Sequence, residues 1–262
     1  MICLAIGLIT LSTPTFAQDD KLDELTFEET IIQEEKVPYF GVGGGFMISL
    51  FSPNLDDVNS QLTKNGIENL SAPITMTGAL GVATIGIIPN VRVSISSLGG
   101  ISTTPETAFN ISGKSYNRKV QYYNGYTGFG ADYAISLAKS LYLLPGISAG
   151  WGTLSIETSQ ALSGANTSNS GFGGLPTDNN IYSNRLQNSY VLLQPGVSVE
   201  FAPALLGSDK PRVITVRLHA GYTASFMGDW KENGNTIVND QPSTLNASGL
   251  NIQAGIMIGL FN

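Results

Sequence analysis

Four charged side chains fall well inside strand-like runs of this sequence: Arg92, Asp132, Glu200 and Arg217. Two are basic and two acidic, and pairing is the chemistry their setting calls for, because an isolated charge in a narrow interior is very costly. Arg92 alternates with Val91 and Val93, Asp132 with Ala131 and Tyr133, and Glu200 with Val199 and Phe201. Successive strand residues point to opposite faces, so each charge lies opposite its apolar neighbours. Arg217 shares its face with Thr215, His219 and Thr223, against Val216, Leu218 and Tyr222. The four charges are expected to point inward as one ionic plug near one end of a closed barrel. In the simpler role the pairs stabilise and specify that barrel. In the sharper role they form a gate or proton-responsive constriction.

His219, the single histidine of the chain, lies one pleat from Arg217. With Asp132 it can act as a general base, which is where a hydrolase would begin. No serine motif, second histidine or cluster of metal ligands supports that chemistry. A lumen-facing histidine held by hydrogen bonds is expected instead, with no catalytic residue, metal or cofactor. Gly41-Val42-Gly43-Gly44-Gly45 has a phosphate-loop look, but no Lys follows and the run lies within a strand pattern.

These residues need long alternating strands to hold them. In 249–261, Leu250, Ile252, Ala254, Ile256, Ile258 and Leu260 hold one face, while Asn251, Gln253, Gly255 and Gly259 hold the other. Eight such candidates follow one another at about 38–51, 74–87, 90–101, 120–136, 140–157, 189–202, 212–227 and 248–261. Each is long enough to cross a bilayer when tilted, since about nine to eleven residues suffice. The connections at 88–90, 137–139 and 203–211 are short, whereas those at 52–73, 102–119, 158–188 and 228–247 are long. With an even strand count, short links collect at one end and long ones at the other. Pro145 and Pro195 lie mid-strand in two similar segments, so bulges or bends are expected there.

Aromatic spacing gives a second argument. Tyr123 and Tyr133 share the outward phase ten residues apart, near 25 Å along the normal at a rise of about 3.3 Å and a tilt of about 40°. Phe40 and Phe201 would join Tyr133 in a lower girdle, with Trp151 and Phe226 in an upper one. Tyr123, Tyr133, Trp151 and Trp230 are the expected interface anchors. In the first long link, Leu55, Val58 and Leu62 repeat at helical spacing, with Pro53 in the first turn and Gly66 at the stop. That helix either packs on the loops or closes the barrel mouth.

Composition sets the bounds. Charged residues are 13% of the 262, about half the soluble average. No apolar run reaches the roughly eighteen residues of a spanning helix. Residues 2–11 are apolar and Thr15-Phe16-Ala17 resembles a small-x-small cleavage site, so 1–17 is expected to be an export signal. No Lys or Arg precedes that apolar run, as a truncated or misassigned start would leave it. The single cysteine, Cys3, falls within it, so the mature chain would carry no thiol or disulfide. Residues 18–37 hold eight acids against Lys21 and Lys36, nearly all of the net charge of −7. They form an acidic segment expected on the periplasmic side. No basic patch for nucleic acid is present.

With this alternation, connection asymmetry and inward charge, residues 38–262 resemble the small bacterial outer-membrane β-barrel proteins. The resemblance implies an all-β, eight-stranded antiparallel up-and-down transmembrane barrel with one short helix in the first external loop. It implies a signal-directed, Gram-negative outer-membrane location. It also implies a non-enzymatic, monomeric envelope protein with lipid around it and a ligand or protein partner at its external loops. Members of that group usually end on an outward aromatic, whereas Phe261 is penultimate and out of phase with Leu250–Leu260. The alternatives are a secreted or periplasmic lipocalin-like barrel binding an apolar ligand, and a narrow pore gated by the ionic cluster. The lipocalin-like arrangement requires the apolar face inside and charge outside.

Overall fold

A computed structural model describes residues 38–163, 181–204, 211–238 and 244–262. The export signal at 1–17 and the acidic segment at 18–37 lie outside the described residues. Alternating sequence becomes strand throughout: β1 (Gly41–Pro53), β2 (Ile74–Thr84), β3 (Val91–Thr103), β4 (Thr107–Ile111), β5 (Lys114–Tyr133) and β6 (Ile135–Ala138). After these come β7 (Leu141–Leu162), β8 (Tyr182–Phe201), β9 (Arg212–Met227), β10 (Lys231–Glu232), β11 (Thr236–Ile237) and β12 (Gly249–Phe261), and α1 (Asp56–Lys64) follows β1.

Eight of these strands close a ring in the order β1-β2-β3-β5-β7-β8-β9-β12, every neighbour antiparallel and consecutive among the eight. The ring is sealed by β12 on β1, from Gly41↔Phe261 to Pro53↔Gly249. This is an up-and-down barrel with no free edge among its eight strands. Its outer face carries Phe46, Ile48, Val93, Ile95, Val191, Leu218, Ile252 and Ile256, all exposed. Its interior carries Ser49, Asn124, Gln194, Thr223, Asn251 and Gln253, all buried.

Three strands run beyond the alternating stretch. β5 starts at Lys114 rather than near 120, β7 continues to Leu162, and β8 starts at Tyr182. Past Val120, Glu157 and Asn188 both faces turn polar, as in Asn117-Arg118-Lys119, Thr158-Ser159-Gln160 and Ser183-Asn184-Arg185. The period-two signal therefore fades, although the ladders continue through Tyr116↔Leu162 and Gln160↔Tyr182. These extensions form a wall at the long-loop end of the ring and add charges to the strands that the alternating stretches lack. A β4–β5 turn at Ser112-Gly113 (φ 52° and 81°) and a β10–β11 turn at Asn233-Gly234 (φ 50° and 87°) use the left-handed backbone that tight hairpins require.

The helix begins later than its sequence signal implies. Pro53 is the last residue of β1, and Asn54 Oδ1 accepts a 2.9 Å bond from the Asp56 amide. Asp56 and Asp57 occupy the first turn and Lys64 the last, matching the helix dipole, and Gly66 (φ 69°) follows the stop. Val58 and Leu62 are buried with Leu55 in an apolar cluster that caps the long-loop end. The mid-strand prolines produce gaps rather than bulges. Gln194 and Pro195 drop out between Leu193↔Ala224 and Gly196↔Gly221 with the register unchanged. At Pro145 the β5–β7 ladder stops at Asp132↔Gly146 and resumes as β6–β7 at Ile135↔Leu143 in the same register. The shifts fall instead between Ser136 and Ala138 and between Ile258 and Phe261.

Close strand approach depends on glycine at Gly45, where a Cβ would lie 1.8 Å from the Ile256 carbonyl oxygen. At Gly86, in the β2–β3 turn, a Cβ would meet nothing within 4 Å. Gly45→Val is expected to destabilise the folded barrel by about 1–3 kcal/mol, and Gly86→Ala to fall within about 0.5 kcal/mol of the parent. Urea titration of the compact, unboiled gel band measures both.

Candidate functional site

The interior is layered, and its first layer lies at the short-turn end. Arg92 on β3 and Asp132 on β5 are cross-strand partners, as are Glu200 on β8 and Arg217 on β9. Register alone therefore sets two opposite-charge pairs side by side. The side chains then cross-link the ring. Arg92 Nη2 donates to Asp132 Oδ2 at 2.8 Å and Arg92 Nη1 to Glu200 Oε2 at 2.5 Å, the latter spanning the lumen from β3 to β8. Arg217 Nη2 lies 3.7 Å from the same Asp132 oxygen. Arg92 and Glu200 have no solvent exposure. Two arginines and two carboxylates cancel in formal charge, which is what such a buried group requires.

A fifth member is Tyr39, which the 38–51 alternation puts opposite outward Phe40 but which carries no charge to mark it as part of the cluster. Its hydroxyl donates to Glu200 Oε1 at 2.7 Å and accepts from Arg92 Nη1 at 3.0 Å. The ring packs edge-on against Tyr142 with centroids 4.8 Å apart. The two ends of the described barrel meet beneath it: Asn262 Nδ2 donates to the Pro38 carbonyl at 2.7 Å, and Tyr142 donates to the Asn262 carbonyl at 2.9 Å.

Above the charges is a neutral polar layer. Ser198 Oγ accepts from Arg217 Nη2 at 2.7 Å and lies 3.0 Å from His219 Nδ1. His219 Nε2 lies 3.1 Å from Gln194 Nε2. Tyr126 donates to Gln194 at 3.3 Å and accepts from Asn251 at 2.9 Å, and Asn251 also takes a bond from Ser49. His219 is thus half-buried and engaged at both nitrogens, while Asp132 is held by the arginines. The structure does not assemble the His219–Asp132 base. Among the described residues no group of three His, Cys, Asp or Glu is placed to hold a metal ion.

A chamber of about 30 Å³ between Asp132, Gln194, Arg217, His219 and Gln253 is the space left beside the charges. It has room for no more than a few waters. Toward the long-loop end the filling turns apolar, with Tyr122, Leu154, Leu192 and Phe51 below α1.

The expected anchors separate. Tyr133 (49% exposed) and Trp151 (58%) face outward, with Trp151 5.9 Å from Phe129 between centroids. Phe40, Phe201 and Phe226 also face outward. Tyr123 faces outward but lies flat over Gly125, where a Cβ would sit 2.4 Å from its hydroxyl. Trp230 is not an outward anchor. It is 7% exposed and belongs to the apolar cluster capping the mouth. The β10–β11 hairpin that follows it pairs with β8, and the Trp230 carbonyl accepts from the Val238 amide at 2.9 Å.

The chain is similar to several solved structures, three of which follow. The attachment invasion locus protein Ail of Yersinia pestis shares 12% identity over 86% of this chain and 99% of that one, with a TM-score of 0.34. CarO of Acinetobacter baumannii shares 10% identity over 85% and 98%, with a TM-score of 0.33. CarO2 of Acinetobacter baumannii shares 10% over 84% and 99%, with a TM-score of 0.32. No family model and no curated protein matches the chain. The architecture described above rests on the ring of strand pairings in this chain itself.

Removing one member of the charge layer strands its partners. Arg92→Met is expected to cost about 3–5 kcal/mol, since Glu200 and Asp132 stay buried without it. Tyr39→Phe is expected to cost about 1–2 kcal/mol through one lost hydroxyl. The same urea titration measures both; an Arg92→Met loss below about 1 kcal/mol would mean the charges are solvated rather than locked.

Proposed function

We propose that this chain is a non-enzymatic outer-membrane barrel of a Gram-negative envelope, closed to flow by its ion-paired lumen and working through its long-loop end. The observation that carries this is the sorting of side chains by face. Exposed Phe46, Ile48, Leu218, Tyr222, Ile252, Ile256 and Ile258 form an apolar outer surface, while the charges are buried inside. In water an apolar band of that extent is an aggregation surface, whereas against acyl chains it is the favoured one. A lipocalin-like barrel requires the inverse distribution.

The apolar belt takes outer-membrane lipid as its partner, and the short turns face the periplasm. The long-loop end, with α1, the extensions of β5, β7 and β8, and the β10–β11 hairpin, faces outward and meets an extracellular ligand or protein. Residues 1–17 direct export, and 18–37 form an acidic periplasmic lead-in to a monomeric barrel. The bonds of Arg92 to neighbouring Asp132 and across the lumen to Glu200, with the small chamber beside Arg217, favour a structural plug over a gated pore.

Expressed at native level, the chain is expected in the outer-membrane fraction, with a gel mobility that changes on boiling. A soluble, heat-indifferent protein would overturn the proposal. Purified and inserted into planar bilayers, it is expected to give no unitary conductance. Steady channels in the parent protein that change size in Asp132→Asn would establish the gated pore instead.

A further inference from the structure

The long-loop end holds a cavity of about 600 Å³, within the range of small-molecule sites. One wall is the inward face of the long-loop ends of β5, β7 and β8, with Arg118 and Val120 from β5, Ile156 from β7 and Leu186 from β8. The opposite wall is α1, through Val58 and Leu62, and Leu245 adds to the lining. Half of its lining residues are aliphatic and half carry polar groups, so it can enclose an apolar body and orient it by fixed polar contacts.

Its charges are Arg118 and Asp57. Asp57 lies in the first turn of α1, where the free amides and the dipole already balance a carboxylate. Arg118 is different. Among the described residues its partners are neutral: Nε and Nη2 donate to Gln160 Oε1 at 3.0 and 2.6 Å. The guanidinium carbon lies 4.5 Å from the Phe109 ring centroid and 6.0 Å from that of Tyr182. Two aromatic rings and one amide thus fix the guanidinium plane, and its remaining N–H groups carry a positive charge with no formal counter-charge among its described hydrogen-bond and ring partners. A fixed fork of donors suits a planar or tetrahedral oxyanion.

We propose that this cavity binds a small anionic amphiphile, its apolar or aromatic body lying between α1 and the β5–β7–β8 wall and its carboxylate or sulfonate on Arg118. The proposal rests on the long-loop end being the accessible external surface. It makes the sequence's helix one wall of a binding site rather than only a lid.

The test uses the full barrel, reconstituted in lipid nanodiscs, with naphthalene-2-sulfonate as the probe and its neutral analogue naphthalene-2-methanol as the comparison, read by saturation-transfer NMR and calorimetry. Saturable one-to-one binding of the sulfonate is expected, weakened about tenfold or more by Arg118→Gln, as loss of a charge-assisted bond requires. The neutral analogue is expected to bind more weakly than the sulfonate and to be indifferent to Arg118→Gln. Leu62→Trp, which fills the cavity from the helix side, is expected to abolish binding. Absence of saturable binding to a barrel that still shows its boiling-dependent mobility would overturn the ligand proposal while leaving the barrel intact. Binding unaffected by both Arg118→Gln and Leu62→Trp would place the probe elsewhere and overturn it equally. A soluble, heat-indifferent chain would instead remove the reading on which the proposal stands.

Discussion

Closure of the ring is the constraint on which everything else in this molecule depends. A strand presents a row of unpaired N–H and C=O groups, and in hydrocarbon no solvent can satisfy them. β12 meets β1 over the whole length of both, from Gly41↔Phe261 to Pro53↔Gly249, and that seam removes the last edge. Once the ring is closed, side-chain alternation has two environments to serve, and the sequence sorts into apolar outside and polar inside. A register slip of one residue would carry Arg217 to the outer surface and Leu218 into the lumen.

A narrow ring imposes the second condition. The lumen of eight strands is filled by side chains, so any charge placed there must find its partner within the same layer. Arg92 meets that condition from both sides, reaching Asp132 on the adjacent strand and Glu200 across the lumen. Tyr39 completes the layer from outside the ring and joins the start of the described chain to its interior charges. The hydrogen bond from Asn262 to the Pro38 carbonyl holds the same corner shut. The resulting plug lies at the end of the short turns, leaving the opposite end free to be built from extensions, loops and a helix.

Much of this was legible from period-two patterning. The eight strands, the alternation of short and long connections, the inward direction of Arg92, Asp132, Glu200, Arg217 and His219, and a helix carrying Val58 and Leu62 all follow from which residues can share a face. Legibility failed where that contrast disappears. β5, β7 and β8 pass Val120, Glu157 and Asn188 into stretches polar on both faces, and only backbone pairing marks them as strand. Trp230 was misplaced because it stands just before β10, whose two residues leave no periodicity to show that its ring joins the buried cluster. Tyr39 was missed because nothing in local sequence records a partner such as Glu200, far along the chain. Arg118 stands in one of the polar extensions, which is why the cavity it lines left no motif.

The central claim is that the outer face meets lipid and the inner face does not. Cys3 is the single cysteine of the chain, so once it is replaced by serine, single cysteines for nitroxide labels can be placed cleanly at Leu218 on the outer face and Thr223 on the inner face of β9. In reconstituted membranes, the label at Leu218 should collide with molecular oxygen far more than with a water-soluble nickel chelate, and the label at Thr223 should be shielded from both. A label at Leu218 that collides mainly with the nickel chelate would place that face in water and contradict the account.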